Sequence, residues 1–193
     1  MSEFYTLSFY SINNIASSMS LNYGTYYEDR VMPENTFALF KDNDNNLYIL
    51  VRYKGKANRD TIRIIDTFSY SKELDFNNVN TKIDELKKEG LSEISGKKVY
   101  DNFMIAVNSA LIEAAKKGNL DGVKYTVGIG ADPKYNDSDA LQWAARNGHT
   151  EVVKYLVEKG ADPTAAERNA ERWAKKNGHT GVWNYLKSWV GKK

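Results

Sequence analysis

Between residues 139 and 163 the apolar and polar positions follow a pattern that two short, packed helices explain. Leu141, Ala144 and Ala145 share one face at helical spacing. The small alanines let a second helix approach closely. Gly148 ends the first helix, because glycine takes a left-handed cap conformation at little cost. His149 or Thr150 opens the second, in which Val152, Val153, Leu156 and Val157 form an apolar stripe. Gly160 caps that helix, and Asp162-Pro163 imposes a turn.

The unit recurs. Gly118, Gly148 and Gly178 stand at 30-residue intervals, and Gly130-Ala131-Asp132-Pro133 returns as Gly160-Ala161-Asp162-Pro163. A helix pair of this length cannot bury its own faces, so it stacks on its neighbours and the stack is a solenoid. The spacing predicts helix pairs at 108–117 with 120–129, 138–147 with 150–159, and 168–177 with 180–190. Leu156 is expected to be buried between adjacent repeats, and Trp143 and Trp173 read as core.

The run from Ala140 through Leu141, Gln142, Trp143 and on to Val152-Val153-Lys154-Tyr155-Leu156-Val157 and Gly160-Ala161-Asp162 resembles an ankyrin repeat. The resemblance spans roughly Asn108–Val190. The usual ankyrin period is about 33 residues and opens on Thr-Pro-Leu-His. That opening is missing here and the period is 30, which implies trimmed hairpin fingers between the helix pairs. Short repeats of this kind are similar to the ankyrin arrays of large DNA viruses and phages. The first unit has Glu113 where the others have Trp143 and Trp173. It also has Gly128 inside its second helix, a loosening of about 1 kcal/mol relative to Ala. The third unit replaces the inward Leu by Glu171, which reads as a polar terminal cap.

The first hundred residues follow another period. Tyr5, Leu7 and Phe9 alternate, so Glu3–Tyr10 reads as a strand. Thr36–Lys41 and Leu47–Tyr53 flank Asp42-Asn43-Asp44-Asn45-Asn46, a hairpin connection, and Thr61–Phe68 is a third such run. Together they predict an antiparallel meander. Asn80 or Thr81 caps a helix that carries Ile83 and Leu86 on one face, with Asp84 in the capping-box position and Gly90 as its stop. A further helix runs from about Lys98 into the repeats. The expected architecture is an α+β module, antiparallel sheet plus helices, over residues 1–105, followed by an all-α three-repeat solenoid over 106–193 with units near 108–137, 138–167 and 168–193. The module resembles no family.

Composition narrows the chemistry. Cysteine is absent, which excludes disulfides, thiol nucleophiles, cysteine zinc sites and iron–sulfur clusters. Only two histidines occur, at one repeat position, so they stack a repeat apart instead of converging on a metal or a serine. They are expected to brace loops by hydrogen bonding. No Gly-x-Gly-x-x-Gly or phosphate-binding loop is present. Asp42-Asn43-Asp44 opens like a calcium loop, but Leu47 and Tyr53 stand where glycine and glutamate are needed, so it reads as a turn. Asp60, Asp66 and Glu73 offer carboxylates at no fixed spacing. No catalytic residue, cofactor or metal is assigned. The net charge of +2 provides no global pull toward DNA or an anionic membrane, and no apolar run approaches the ~18 residues of a membrane span. The N-terminus lacks a basic, then apolar, leader pattern, which predicts a cytoplasmic location.

The candidate binding residues come from the repeat. Lys116, Arg146 and Lys176 hold the position two before each glycine, and Ile112, Gln142 and Arg172 the position six before it. By spacing these stack into a ridge on the first helices, the face that the ankyrin resemblance places on the concave side. It is either a solvated basic ridge or a docking strip for an acidic surface. Lys54, Lys56, Arg59 and Arg63 form a second basic cluster, read as charge protection of an edge strand or as a phosphate or partner contact.

These residues point to a non-enzymatic recognition factor, and the resemblance implies a protein partner that is occluded or tethered. Two other readings stay open: an enzyme whose N-terminal module is catalytic and whose repeats select substrate, and a nucleic-acid binder. The aromatics interleaved with the ridge read as core, which counts against nucleic acid. Asparagine at 19 of 193 and 20 Lys against 7 Arg suggest an AT-rich coding genome. With the virus-like repeats, that usage points to a phage or viral factor acting on a host protein in the host cytoplasm.

Overall fold

The computed structural model describes residues 4–20, 31–33, 35–44, 47–52, 65–70 and 76–190. Its contacts divide the chain into two units, Met1–Ala106 and Val107–Lys193.

The first unit is a sheet with helices. Strand β1 (Tyr5–Thr6) precedes helix α1 (Phe9–Ser20). Strands β2 (Thr36–Lys41), β3 (Leu47–Arg52) and β4 (Ile65–Tyr70) then form the antiparallel meander that alternation predicts. Helix α2 (Phe76–Lys88), strand β5 (Ser92–Glu93) and helix α3 (Gly96–Lys116) follow. The β2–β3 register opposes Phe37 to Val51 and Leu39 to Ile49, so these four share one face. Ile83, Leu86 and Leu91 close that face into a single buried cluster. Every residue from Thr36 to Phe40 is buried, so both faces of β2 are covered. The hairpin is held by Asp42, which accepts from the Asp44 amide at 2.9 Å and from the Tyr48 hydroxyl at 3.0 Å. That is turn chemistry rather than a cation loop.

Several details differ from the sequence reading. The expected strand Glu3–Tyr10 is reduced to two residues, because Ser8 starts a helix: its hydroxyl accepts from the Ser11 amide at 3.2 Å. Ile12, Ile15 and Ala16 then bury one face of α1. Strands β1 and β5 pair with β2 in parallel, one at each end of its free edge, so the sheet is mixed. Helix α2 begins at Phe76, ahead of Asn80. Gly96 is required where α3 starts, since a Cβ there would lie 2.7 Å from the Leu39 carbonyl and 2.8 Å from the Tyr5 Cβ. Of Thr61–Phe68, residues 61–64 lie outside the described residues, as do Lys54, Lys56, Arg59 and Arg63.

The second unit is helical. The end of α3 pairs with α4 (Leu120–Gly128), α5 (Tyr135–Arg146) with α6 (Thr150–Glu158), and α7 (Ala165–Lys176) with α8 (Thr180–Val190). First helix packs on first helix (α5 on α7), and second on second (α4 on α6, α6 on α8). The interior is made of small and branched residues: Ala140, Leu141, Ala144, Ala145, Val152, Val153, Leu156, Ala170, Ala174, Val182 and Leu186 are all buried. Leu156 is fully enclosed, as the stripe predicts.

In place of hairpin fingers, repeats two and three carry a left-handed turn. Asn136, Asp137 and Ser138 have φ of 51, 56 and 58, and Ala166, Glu167 and Arg168 have φ of 46, 55 and 63. Side chains that hydrogen-bond locally tolerate this region, so Asn-Asp-Ser suits it better than Ala-Glu-Arg. A buried acceptor at the start of each of the first two units ties it to the turn that closes that unit. Asn108 Oδ1 accepts from the Asp132 amide at 2.8 Å, and Ser138 Oγ, one repeat on, accepts from the Asp162 amide at 2.9 Å.

Candidate partner-binding site

The first helices of the array end on cations. Lys116, Arg146 and Lys176 lie in the last turns of α3, α5 and α7, where positive charge complements the helix dipole. The backbone beneath two of them is pinned by the next repeat. The Lys116 carbonyl accepts from Asn147 Nδ2 at 2.8 Å and lies 3.1 Å from His149 Nε2. The Arg146 carbonyl is met the same way by Asn177 Nδ2 at 2.7 Å and His179 Nε2 at 3.0 Å. A carbonyl has no proton to give, so Nε2 carries the hydrogen in both rings. The histidines are therefore loop braces in this geometry. They also explain two glycines: a Cβ on Gly118 or Gly148 would stand 2.5 Å from the ring Nδ1 of His149 or His179.

The cations stack with tryptophans of their own and of the adjoining repeat. Lys116 Nζ and Arg146 Cζ each lie 4.9 Å from the Trp143 ring centre. Arg146 Cζ also lies 4.6 Å from the Trp173 ring centre, and Lys176 Nζ lies 5.0 Å from it. The order is thus Lys116, Trp143, Arg146, Trp173, Lys176, an alternating cation–π ladder. Trp143 and Trp173 are half-buried, not core as the sequence reading had them. The alanines beside them fill the helix–helix contact, and the indoles lie along its rim. In the first repeat Glu113 takes the tryptophan's place and pairs with Lys116 at 3.8 Å. Among the described residues no carboxylate pairs with Arg146 or Lys176.

The other sequence candidates stand apart from this stack. Gln142 Nε2 donates to the Asp137 carbonyl at 2.8 Å, bracing the left-handed turn of its own repeat. Arg172 Nη1 lies 4.0 Å from Glu167, also in its own turn. Ile112 is half-buried. A cleft of about 690 Å³ that the sequence did not reveal is lined by Lys134, Ser138, Asp162, Thr164, Arg168 and Trp189. Among the described residues, no three His, Asp or Glu side chains gather as a metal site requires, and no helix is long and apolar enough to cross a membrane.

A family model of ankyrin repeats, in three copies, matches residues 95–191, half of the chain. The chain belongs to the ankyrin-repeat family. No curated protein matches it. The module ahead of the array carries no family match. Ankyrin repeats are protein-interaction modules and typically non-catalytic, which makes binding the role that the array supports. In this ankyrin array the ladder draws on all three repeats: a cation from each, and an indole from the second and the third.

Proposed function

We propose that the protein is a non-enzymatic recognition factor that binds a partner protein through the Lys116–Lys176 ladder and acts by occluding or tethering it. The observation that carries this reading is the position of Arg146 within 5 Å of the rings of two different repeats. A cation held there presents fixed positive charge, which suits an acidic protein surface. Each ladder ring already has two cations against it. Bases therefore have no open platform to stack on, which favours protein over nucleic acid. The lysine- and asparagine-rich composition and the short repeats favour a phage or viral factor that meets a host protein in the cytoplasm.

The test is capture of partners with the wild type and with the double variant Arg146→Glu, Lys176→Glu, both checked for helicity. A stoichiometric protein captured by the wild type and lost from the variant is the expected outcome. Capture that survives the reversal moves the interface off the ladder, to Lys54–Arg63 first. Turnover of the captured species would favour an enzyme in the module.

A further inference from the structure

The three cations of the ladder are not equivalent. Arg146 is half-buried, with the ring centres of Trp143 and Trp173 at 4.9 and 4.6 Å. Lys116 and Lys176 are exposed, and each meets one indole of the ladder. Glu113 lies 3.8 Å from Lys116, whereas among the described residues no carboxylate pairs with Arg146 or Lys176. Burial and pairing therefore grade the ladder. A partly desolvated, unpaired cation stands at its centre, a solvated one at the repeat-three end, and one with its own carboxylate at the repeat-one end.

Each difference has a consequence for an approaching acid. Arg146 has already given up part of its water, so an incoming carboxylate strips less from it, and two rings restrict its rotamers beforehand. Its guanidinium carries a fork of N–H donors that matches a carboxylate. Asn177 and His179 meet the Arg146 carbonyl, which covers part of the negative end of α5 that otherwise repels an acid. Lys176 keeps its water shell, so its pull acts at a distance and is screened by salt. At Lys116 the attraction is offset by repulsion from Glu113. Glu113 stands where repeats two and three carry Trp143 and Trp173, so the like charge sits in the one repeat without a ladder indole.

We propose, resting on the reading that the ladder is the interface, that an acidic protein partner docks on repeats two and three and not on repeat one. A carboxylate of the partner anchors on Arg146, Lys176 steers it in, and Glu113 is the specificity-determining residue that keeps acid off Lys116.

The test is a titration of the full chain with a fluorescein-labelled hexaglutamate peptide, read by anisotropy at low and moderate salt. Hexaglutamine is the control peptide and a thymidine oligonucleotide the competitor. Arg146→Gln should weaken hexaglutamate binding about tenfold at both salts. Lys176→Gln should weaken it a few-fold at low salt and hardly at all at moderate salt. Glu113→Gln should tighten it a few-fold, a gain that unfolding cannot mimic. Removing Glu113 and Lys116 together, as Glu113→Gln with Lys116→Gln, should leave the affinity unchanged, because their charges cancel. Lys159→Gln, outside the ladder, should leave it unchanged at moderate salt. No gain from Glu113→Gln, a loss from the Glu113 and Lys116 pair as large as that from Arg146→Gln, absence of hexaglutamate binding, or displacement by the oligonucleotide would each overturn the proposal. If Arg146→Glu with Lys176→Glu abolishes peptide binding but the three cations contribute equally, the interface stands and its grading is wrong. If that charge-reversed protein binds the peptide as the wild type does, the interface is wrong too.

Discussion

In the sheet module the interior is assembled from large side chains that meet across long stretches of chain. Phe37 and Leu39 on β2 pack with Ile49 and Val51 on β3 and with Ile83 and Leu86 on α2. Each position is filled once and has no equivalent elsewhere in the unit. The ankyrin array fills its interior with alanine, valine and leucine at positions that return every 30 residues, and each helix packs on its partner in the pair and on the equivalent helix of the adjoining repeat. The difference teaches where a residue's role is decided. In the array, a position carries its role from unit to unit: Asn108 and Ser138 both accept an amide of the next turn, and Asn147 and Asn177 both hold a carbonyl. In the module, the role comes from whatever the fold brings alongside. Arg52 is buried at the end of β3 and donates to the Met32 carbonyl, a contact that no local pattern announces.

The comparison can be broken most directly at the two cores. Leu156→Ala in the array and Ile49→Ala in the module both empty fully enclosed sites and should each cost ~2–5 kcal/mol, read from denaturant midpoints. In an array that has only nearest-neighbour support, that loss rivals the usual margin of ~5–15 kcal/mol. A change at Leu156 below ~1 kcal/mol would mean that the repeat packing is misassigned.

Equivalence between repeats is sharpened by glycine. Gly148→Ala and Gly178→Ala both place a side chain at positive φ, at +80 and +76, which costs about 1–2 kcal/mol. Only Gly148 also faces a histidine ring at 2.5 Å, whereas nothing lies within 4 Å of a Cβ on Gly178. Gly148→Ala should therefore lose a further ~1–3 kcal/mol by overpacking. Equal losses would show that the His179 ring moves aside freely.

Smaller effects test the shared acceptors. Ser138→Ala leaves the Asp162 amide without its partner and should cost about 1–3 kcal/mol, with Asn108→Ala costing a similar amount. A large loss at one and none at the other would end the equivalence. The smallest effect is a gain. Ala166 sits at φ 46 in the third repeat, so Ala166→Gly should relieve the left-handed conformation and stabilise by up to about 1 kcal/mol, seen as a raised Tm. A lowered Tm would mean that the turn at 166–168 is not left-handed in solution.

Helix pairs, their glycine stops and the buried face of α6 were legible because periodicity and left-handed caps are local properties. The helix α1 was legible and missed: Ser8 and the spacing of Ile12, Ile15 and Ala16 were both available, but the alternation of Tyr5, Leu7 and Phe9 outweighed them. The stacking of Lys116, Arg146 and Lys176 was foreseeable from their interval, whereas the tryptophans between them were misread. An indole beside alanines looks like core until the helix separation is known, and alanine brings the helices too close to admit it.

The amino-acid sequence by itself determined the repeat, its period, the ends of its helices and the side of each helix that is buried. Those follow from chain-local physics: 3.6 residues per turn, the freedom of glycine at positive φ, and the preference of apolar groups to leave water. Only the tertiary structure decided that β1 and β5 pair in parallel on one edge of β2, that residues 136–138 and 166–168 turn left-handed, and that Arg146 stands between indoles from two repeats. These depend on groups meeting through space. A cation–π contact falls away within a few ångströms, so no spacing along the chain could establish it before the helices were packed.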